Sequence, residues 1–143
     1  MTSITIDQAR QIIAGALAHG REAGMQPLAV LVLDAGGNVK AFEREDGASN
    51  LRFEITMGKA YGALGLGVGS RALFARAQQQ PFFVNAVTAA FGGRLIPVPG
   101  GVLVRDDAGT IIGAVGVSGD NSDNDEQAAV AGIEGAGLTA DTG

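Results

Sequence analysis

The chain has 143 residues, with 10 Lys and Arg against 15 Asp and Glu for a formal charge of −5, a single histidine and no cysteine. That length sets a single domain, residues 1–143, with room for a sizeable core, and the singly scattered basic residues form no stripe that would track a phosphate backbone, which excludes nucleic acid as a partner. Without cysteine there are no disulfides, thiolate nucleophiles or zinc–sulfur sites, and one histidine removes most other metal and triad arrangements. No apolar run approaches the roughly 20 residues of a membrane span, and Met1-Thr2-Ser3-Ile4 lacks a leader pattern, so a cytoplasmic protein without a membrane partner is expected.

Thr5-x-x-Gln8 is a capping box that opens a first helix, with Ala9, Ile12, Ile13, Ala16, Leu17, Gly20 and Ala23 at helical spacing and Gly24 suited to its C-terminal cap. His19 lies beside this apolar stripe near the helix C-terminus, where the macrodipole favours the protonated form. Leu28 to Asp34 reads as a strand, Ala35-Gly36-Gly37-Asn38 as a turn, and Val39 to Arg44 as the returning arm of a hairpin. A second helix covers Leu51 to Leu66, with Ser49 as its cap. Ser70 caps a short third helix through Ala77, and Pro81 opens a fourth through Phe91.

Glycines and prolines from Gly92 to Gly101 make a stiff loop whose backbone is exposed at close range. Val102 to Asp106 and Thr110 to Ser118 form a second hairpin around Asp107-Ala108-Gly109. Ser122-x-x-Asp125, a capping-box variant, opens the last helix, Asp123 to Ile133, and the small, polar tail Gly135 to Gly143 is expected to fray. Neighbouring strands joined by tight turns, with helices packed on them, define an α+β domain with an antiparallel sheet. The runs Leu28 to Leu33 and Ile111 to Val117 are apolar at both parities, so both sheet faces must be covered. With few helices available, a second subunit is a candidate cover, and a homo-oligomer is expected.

Some motif matches carry no chemistry. Gly67-Val68-Gly69-Ser70-Arg71-Ala72 has the letters of a dinucleotide fingerprint but follows a helix instead of a strand. The acidic run Asp120 to Glu126 lacks the glycine and distal glutamate of a calcium loop, so Ser122 and Asp125 read as helix capping and no metal site is expected. Lys59 stands apart, because Ile55, Thr56, Gly62 and Ala63 lie three and four residues away and none is acidic. Its ammonium either snorkels to solvent or points into a pocket walled by Pro99-Gly100-Gly101 beside Ser118-Gly119, where an anionic ligand or water completes its hydrogen bonds. Arg44 either projects toward the same sheet edge or pairs with Glu43, Glu45 or Asp46. Tyr61, the only tyrosine, suits the rim of the core.

Five stretches, taken in order, resemble the GlcG/HbpS family of heme-binding-like proteins over nearly the whole chain. They are Val32-Leu33-Asp34-Ala35-Gly36-Gly37, Glu43 to Ala48, Thr56-Met57-Gly58-Lys59-Ala60-Tyr61, Gly92 to Gly101, and Gly116-Val117-Ser118-Gly119 through Asp125-Glu126. The resemblance implies a five-stranded antiparallel sheet with flanking helices, profilin-like and assembled into homo-oligomers. It maps the family's second-helix lysine to Lys59, its Pro-Gly-Gly loop to Pro99, Gly100 and Gly101, and its serine-glycine strand end to Ser118 and Gly119. A first-helix histidine is an axial heme ligand in some relatives, and His19 lies in the corresponding helix.

Two functions remain open at this point. One is a small-molecule binding module for heme or a related tetrapyrrole, a corrinoid included, without a strong axial ligand set beyond His19, methionine or Tyr61. In it, apolar side chains meet the macrocycle and Lys59 or Arg44 meets the propionates. The other is an enzyme acting on a small carboxylic acid. Arg44 and Lys59 clamp the carboxylate, the Gly100 and Gly101 amides stabilise an oxyanion, and the catalytic candidates are Lys59, Glu54 and Asp125, with Glu54 or Asp125 moving a proton.

Overall fold

The computed structural model describes residues 2–143. In chain order the elements are α1 (Ile6–Glu22), β1 (Ala29–Asp34), β2 (Val39–Arg44), α2 (Arg52–Leu66), α3 (Ser70–Gln79), α4 (Pro81–Ala90), β3 (Gly101–Arg105), β4 (Ile111–Ser118), α5 (Ser122–Gly135) and β5 (Thr139–Asp141). The five strands form one antiparallel sheet in the order β2-β1-β4-β3-β5. The first helix opens as its sequence dictates, with Thr5 Oγ1 accepting the Gln8 amide at 3.1 Å and Gln8 Oε1 accepting the Thr5 amide at 3.0 Å. Both hairpins and the proline-started α4 also follow the sequence pattern.

Alternation along the strands splits the core into two layers. Val30, Val32, Val102, Val104, Val115 and Val117 face α1 and α5, packing with Ile12, Ile13, Ala128, Ala129 and Ile133. Leu31, Leu33, Leu103 and Ala114 face α2 and meet Ala60 and Ala63. The strands apolar at both parities are therefore covered on both sides by helices of the same chain, so this pattern does not call for a second subunit. The helix α2 lies directly on the sheet because Gly116 and Gly101 have no side chain there; a Cβ at either would run into the backbone carbonyl of Thr56 or Lys59.

Four local expectations differ from the structure. Ser49 does not cap α2, whose N-cap is Leu51 with no side-chain bond. Ser70 is the first residue of α3 and not its cap, and its hydroxyl accepts the buried Gly101 amide at 2.7 Å. The cap of α5 is Asn121, one residue before Ser122, with Oδ1 accepting the Asn124 amide at 2.8 Å; this leaves Asp125 for another contact. The tail does not fray through its length. Thr139–Asp141 pairs with β3, held by an Arg105–Asp141 ion pair at 3.0 Å, because β3 would otherwise present an open edge.

The helix α4 differs from the other helices. Its sequence is strongly apolar, yet only Val84 is buried and Phe82 is 74% exposed. No helix of the described residues is long and apolar enough to cross a membrane.

Candidate functional site

The site lies where α2 begins and β4 ends. In the sheet register Arg44 stands opposite Ala29, and Ala29 stands opposite Ser118, so all three share one row and one face. That face is the one α2 covers, since Leu31 and Leu33 share the parity of Ala29.

Lys59 is only 2% exposed. Its side chain runs over Gly100, and its Nζ donates to the Val117 carbonyl at 2.9 Å and to Asp125 Oδ2 at 3.1 Å. A Cβ on Gly100 would stand 2.8 Å from that Nζ, and the residue's φ of +119° is a conformation that glycine alone adopts readily. The ammonium therefore sits beside the Pro99-Gly100-Gly101 loop and the Ser118 strand end, as the sequence suggested. Its anion, however, is the chain's own Asp125 and not a ligand. Burial pulls the Lys59 ammonium below its ordinary value of 10.5, and the Arg52 charge adds to that shift against the opposing pull of Asp125. Burial likewise pushes Asp125 above 3.8, against the attraction of Lys59 and the bond from the Asp120 amide.

Asp125 spends both oxygens, since Oδ1 accepts the Asp120 amide at 2.9 Å. Asp120 in turn accepts the amides of Gln26 and Asn121 and the side chain of Asn124, which hold its carboxyl below 3.8, the Gln26 amide most strongly. The result is a strand end closed by a buried ion pair.

Arg52, the first residue of α2, was not singled out by sequence reasoning. Its Nη1 donates to Ser118 Oγ at 2.8 Å, and its Nε is shut off from solvent with no hydrogen-bond partner among the described residues. Two sequence signals pointed to it. A cation in the first turn of a helix opposes the macrodipole, and a residue two turns before Lys59 shares its face.

The other candidates are dispersed. Arg44 forms no pair with Glu43, Glu45 or Asp46 within the described residues; its Nη1 donates to the Ala48 carbonyl at 2.6 Å, and Glu45 pairs with Arg21 at 3.2 Å. Arg44 also lines a groove of about 420 Å³ with Arg21, Pro27, Glu45 and Asp46. Tyr61 lies toward the opposite end of α2, against Gly37, with Phe91 edge-on at 5.7 Å and the Arg94 guanidinium 4.2 Å from its ring. Glu54 is exposed on the first turn of α2. The Gly101 amide is spent on Ser70 and is no oxyanion donor, while Gly119 packs against the Pro27 carbonyl. Pro99 lines a second groove of about 430 Å³ with Arg71, Phe74, Val98 and the start of α5. His19 is half-buried near the end of α1, on the other layer from α2. Among the described residues no group of three His, Cys, Asp or Glu side chains is placed to hold a metal.

The chain is an α+β domain whose antiparallel sheet is covered by helices on both faces and closed at one strand end by a buried lysine–aspartate pair. The chain belongs to the HbpS-like family: the family model described as haem degrading protein HbpS-like matches residues 4–134. Comparison with curated proteins finds no match. Among solved structures, the chain is similar to Klebsiella pneumoniae protein ORFY at 27% identity and a TM-score of 0.87, over 96% of this chain and 92% of that one. It is similar to HbpS at 28% identity and a TM-score of 0.80, over 94% and 90%. The PduOC:heme complex shares the fold at 21% identity and a TM-score of 0.84, over 95% and 96%.

Proposed function

We propose that this chain binds heme or a related tetrapyrrole and does so as a homo-oligomer. Membership of the HbpS-like family carries the reading. The donor chemistry fits a tetrapyrrole held at the surface with one strong axial bond: His19 is the chain's only imidazole, there is no thiolate, and Tyr61 is covered by Phe91 and Arg94. The groove beside Pro99 offers an apolar wall of Phe74 and Val98 to a macrocycle. His19 is not among the residues lining that groove. The exposed apolar surface of α4 is where copies would associate, because one chain leaves Phe82 without cover. Lys59, engaged by Asp125, does not serve as a propionate anchor in this reading.

Titration with hemin is expected to give a saturable, red-shifted Soret band, altered in His19→Ala. Unsaturable binding, no stronger than that of an unrelated acidic protein, would overturn the proposal. An unchanged His19→Ala spectrum would remove the axial assignment. Sedimentation of the protein as a clean monomer at micromolar concentration would refute the oligomer.

A further inference from the structure

Arg52 carries an inference that does not rest on tetrapyrrole binding. With Nη1 bonded to Ser118 Oγ, the guanidinium keeps its Nε–Nη2 edge, whose parallel N–H groups match the two oxygens of a carboxylate. Arg71 shows that edge filled: its Nε donates to Glu126 Oε2 at 3.0 Å and its Nη2 to Oε1 at 3.0 Å. At Arg52 the equivalent Nε is buried and meets no acceptor among the described residues. A buried charged donor without a partner is unfavourable, and it calls for an acceptor from outside the chain, a ligand or a water.

The acids packed at this strand end are engaged elsewhere, and none meets that Nε. Asp125 spends its two oxygens on Lys59 and the Asp120 amide. Glu45 is tied to Arg21 and to the Leu28 amide. Glu54 is two residues along α2 from Arg52, and residues at that spacing point to different sides of a helix. Arg44 adds a further positive charge from the same row of the sheet, since strands about 4.8 Å apart put its Cα roughly 10 Å from that of Ser118. Arg44, Arg52 and Lys59 thus stand at this end of the fold, where Asp125, Asp120 and Glu45 are all engaged by other partners.

We propose that the Nε–Nη2 edge of Arg52, oriented by Ser118 and supported by the charge of Arg44, recognises the carboxylate of a small ligand. Ser118 acts as a positioning residue, holding the guanidinium through Nη1. The ligand oxygen meets Nη2 first, because Nε is closed to solvent. The carboxylate belongs either to a free small acid or to a tetrapyrrole propionate, and the two sources are separable by experiment.

The arginine Nε–Hε resonances of the wild-type protein report the contact directly. Acetate, oxalate and benzoate are titrated beside acetamide, oxamide and benzamide, and protoporphyrin IX beside its dimethyl ester. The expected result is a saturable shift of the Arg52 resonance with at least one carboxylate and none with its uncharged counterpart, while the Arg71 resonance stays in place. Arg52→Lys, which keeps the charge and loses the fork, is expected to weaken that binding at least tenfold. A shift with protoporphyrin alone, absent with the ester, assigns the carboxylate to a propionate; a shift with a small acid assigns it to a free ligand. No Arg52 shift with any carboxylate, or equal affinity in a folded Arg52→Lys, overturns the proposal. Retained hemin binding in that case leaves the tetrapyrrole reading standing. Should Arg52→Lys not fold, the wild-type resonance decides.

Discussion

Lys59 and Arg52 leave the same face of α2 two turns apart and reach opposite states. Lys59 is sealed in the interior with a carbonyl and a carboxylate, whereas Arg52 has one hydroxyl acceptor and a buried Nε with no partner among the described residues. The difference lies in where the acids of this strand end are spent. Asp125 gives its oxygens to Lys59 and a backbone amide, and Asp120 beside it is taken up by Gln26, Asn121 and Asn124, so neither meets the Arg52 Nε. A buried pair is closed to further chemistry, because releasing either member strands the other charge. A guanidinium with an unpaired Nε still lacks an acceptor.

The largest effect is expected at the closed end of this comparison. Asp125→Ala leaves the Lys59 ammonium buried without its carboxylate and should lower stability in urea by about 3–5 kcal/mol. Lys59→Met combined with Asp125→Leu should recover most of that, since apolar replacement of a buried pair is often neutral. A loss below about 1 kcal/mol in the single variant would mean that Lys59 reaches solvent when its partner goes, and the contrast with Arg52 would fail. At the open end, Ser118→Ala removes the single acceptor that orients Arg52. Its expected cost is about 1 kcal/mol, measured in the same way, because a partly exposed guanidinium regains water.

The smallest and broadest effect is in pH. Burial raises Asp125, so its favourable contribution is complete below 3.8 and is lost as pH rises through the raised value. Burial lowers Lys59, so its contribution is complete above 10.5 and is lost as pH falls through the lowered value. The stability difference between wild type and the Lys59→Met, Asp125→Leu double variant should therefore be least favourable to wild type between the two shifted values, and should improve toward both extremes. Urea midpoints at a series of pH values test this, and a flat difference would show that the pair is not desolvated.

Much of the fold was legible because its determinants are local. The reciprocal Thr5 and Gln8 bonds, the tight hairpin turns and Pro81 at the start of α4 each act within a few residues. The error at α5 was also local: Ser122 and Asp125 have the spacing of a capping box, but Asn121 caps the helix, and Asp125 turns inward to a lysine 66 residues away. Of the candidate site residues, Lys59, Gly100 and Ser118 come together, while Tyr61 and His19 lie elsewhere. The positions of Gly116 and Gly101 under α2 show why: the close approach that seats Lys59 over Gly100 depends on missing side chains on two strands and the loop before β3 at once.

By itself the sequence determined the alternation of helices and hairpins, the two-sided burial of β1 and β4, and the presence of a lysine in an apolar helix without a local acid. Periodicity, turn chemistry and i to i+4 spacing are written in neighbouring residues. Long-range contacts alone set α1 and α5 on one face and α2 on the other, turned the tail into β5, and gave Asp125 to Lys59 while leaving the Arg52 Nε unpaired. Each of these is a contact between residues distant in the chain. Which charge is neutralised there depends on where a strand end, a helix start and a loop meet in space.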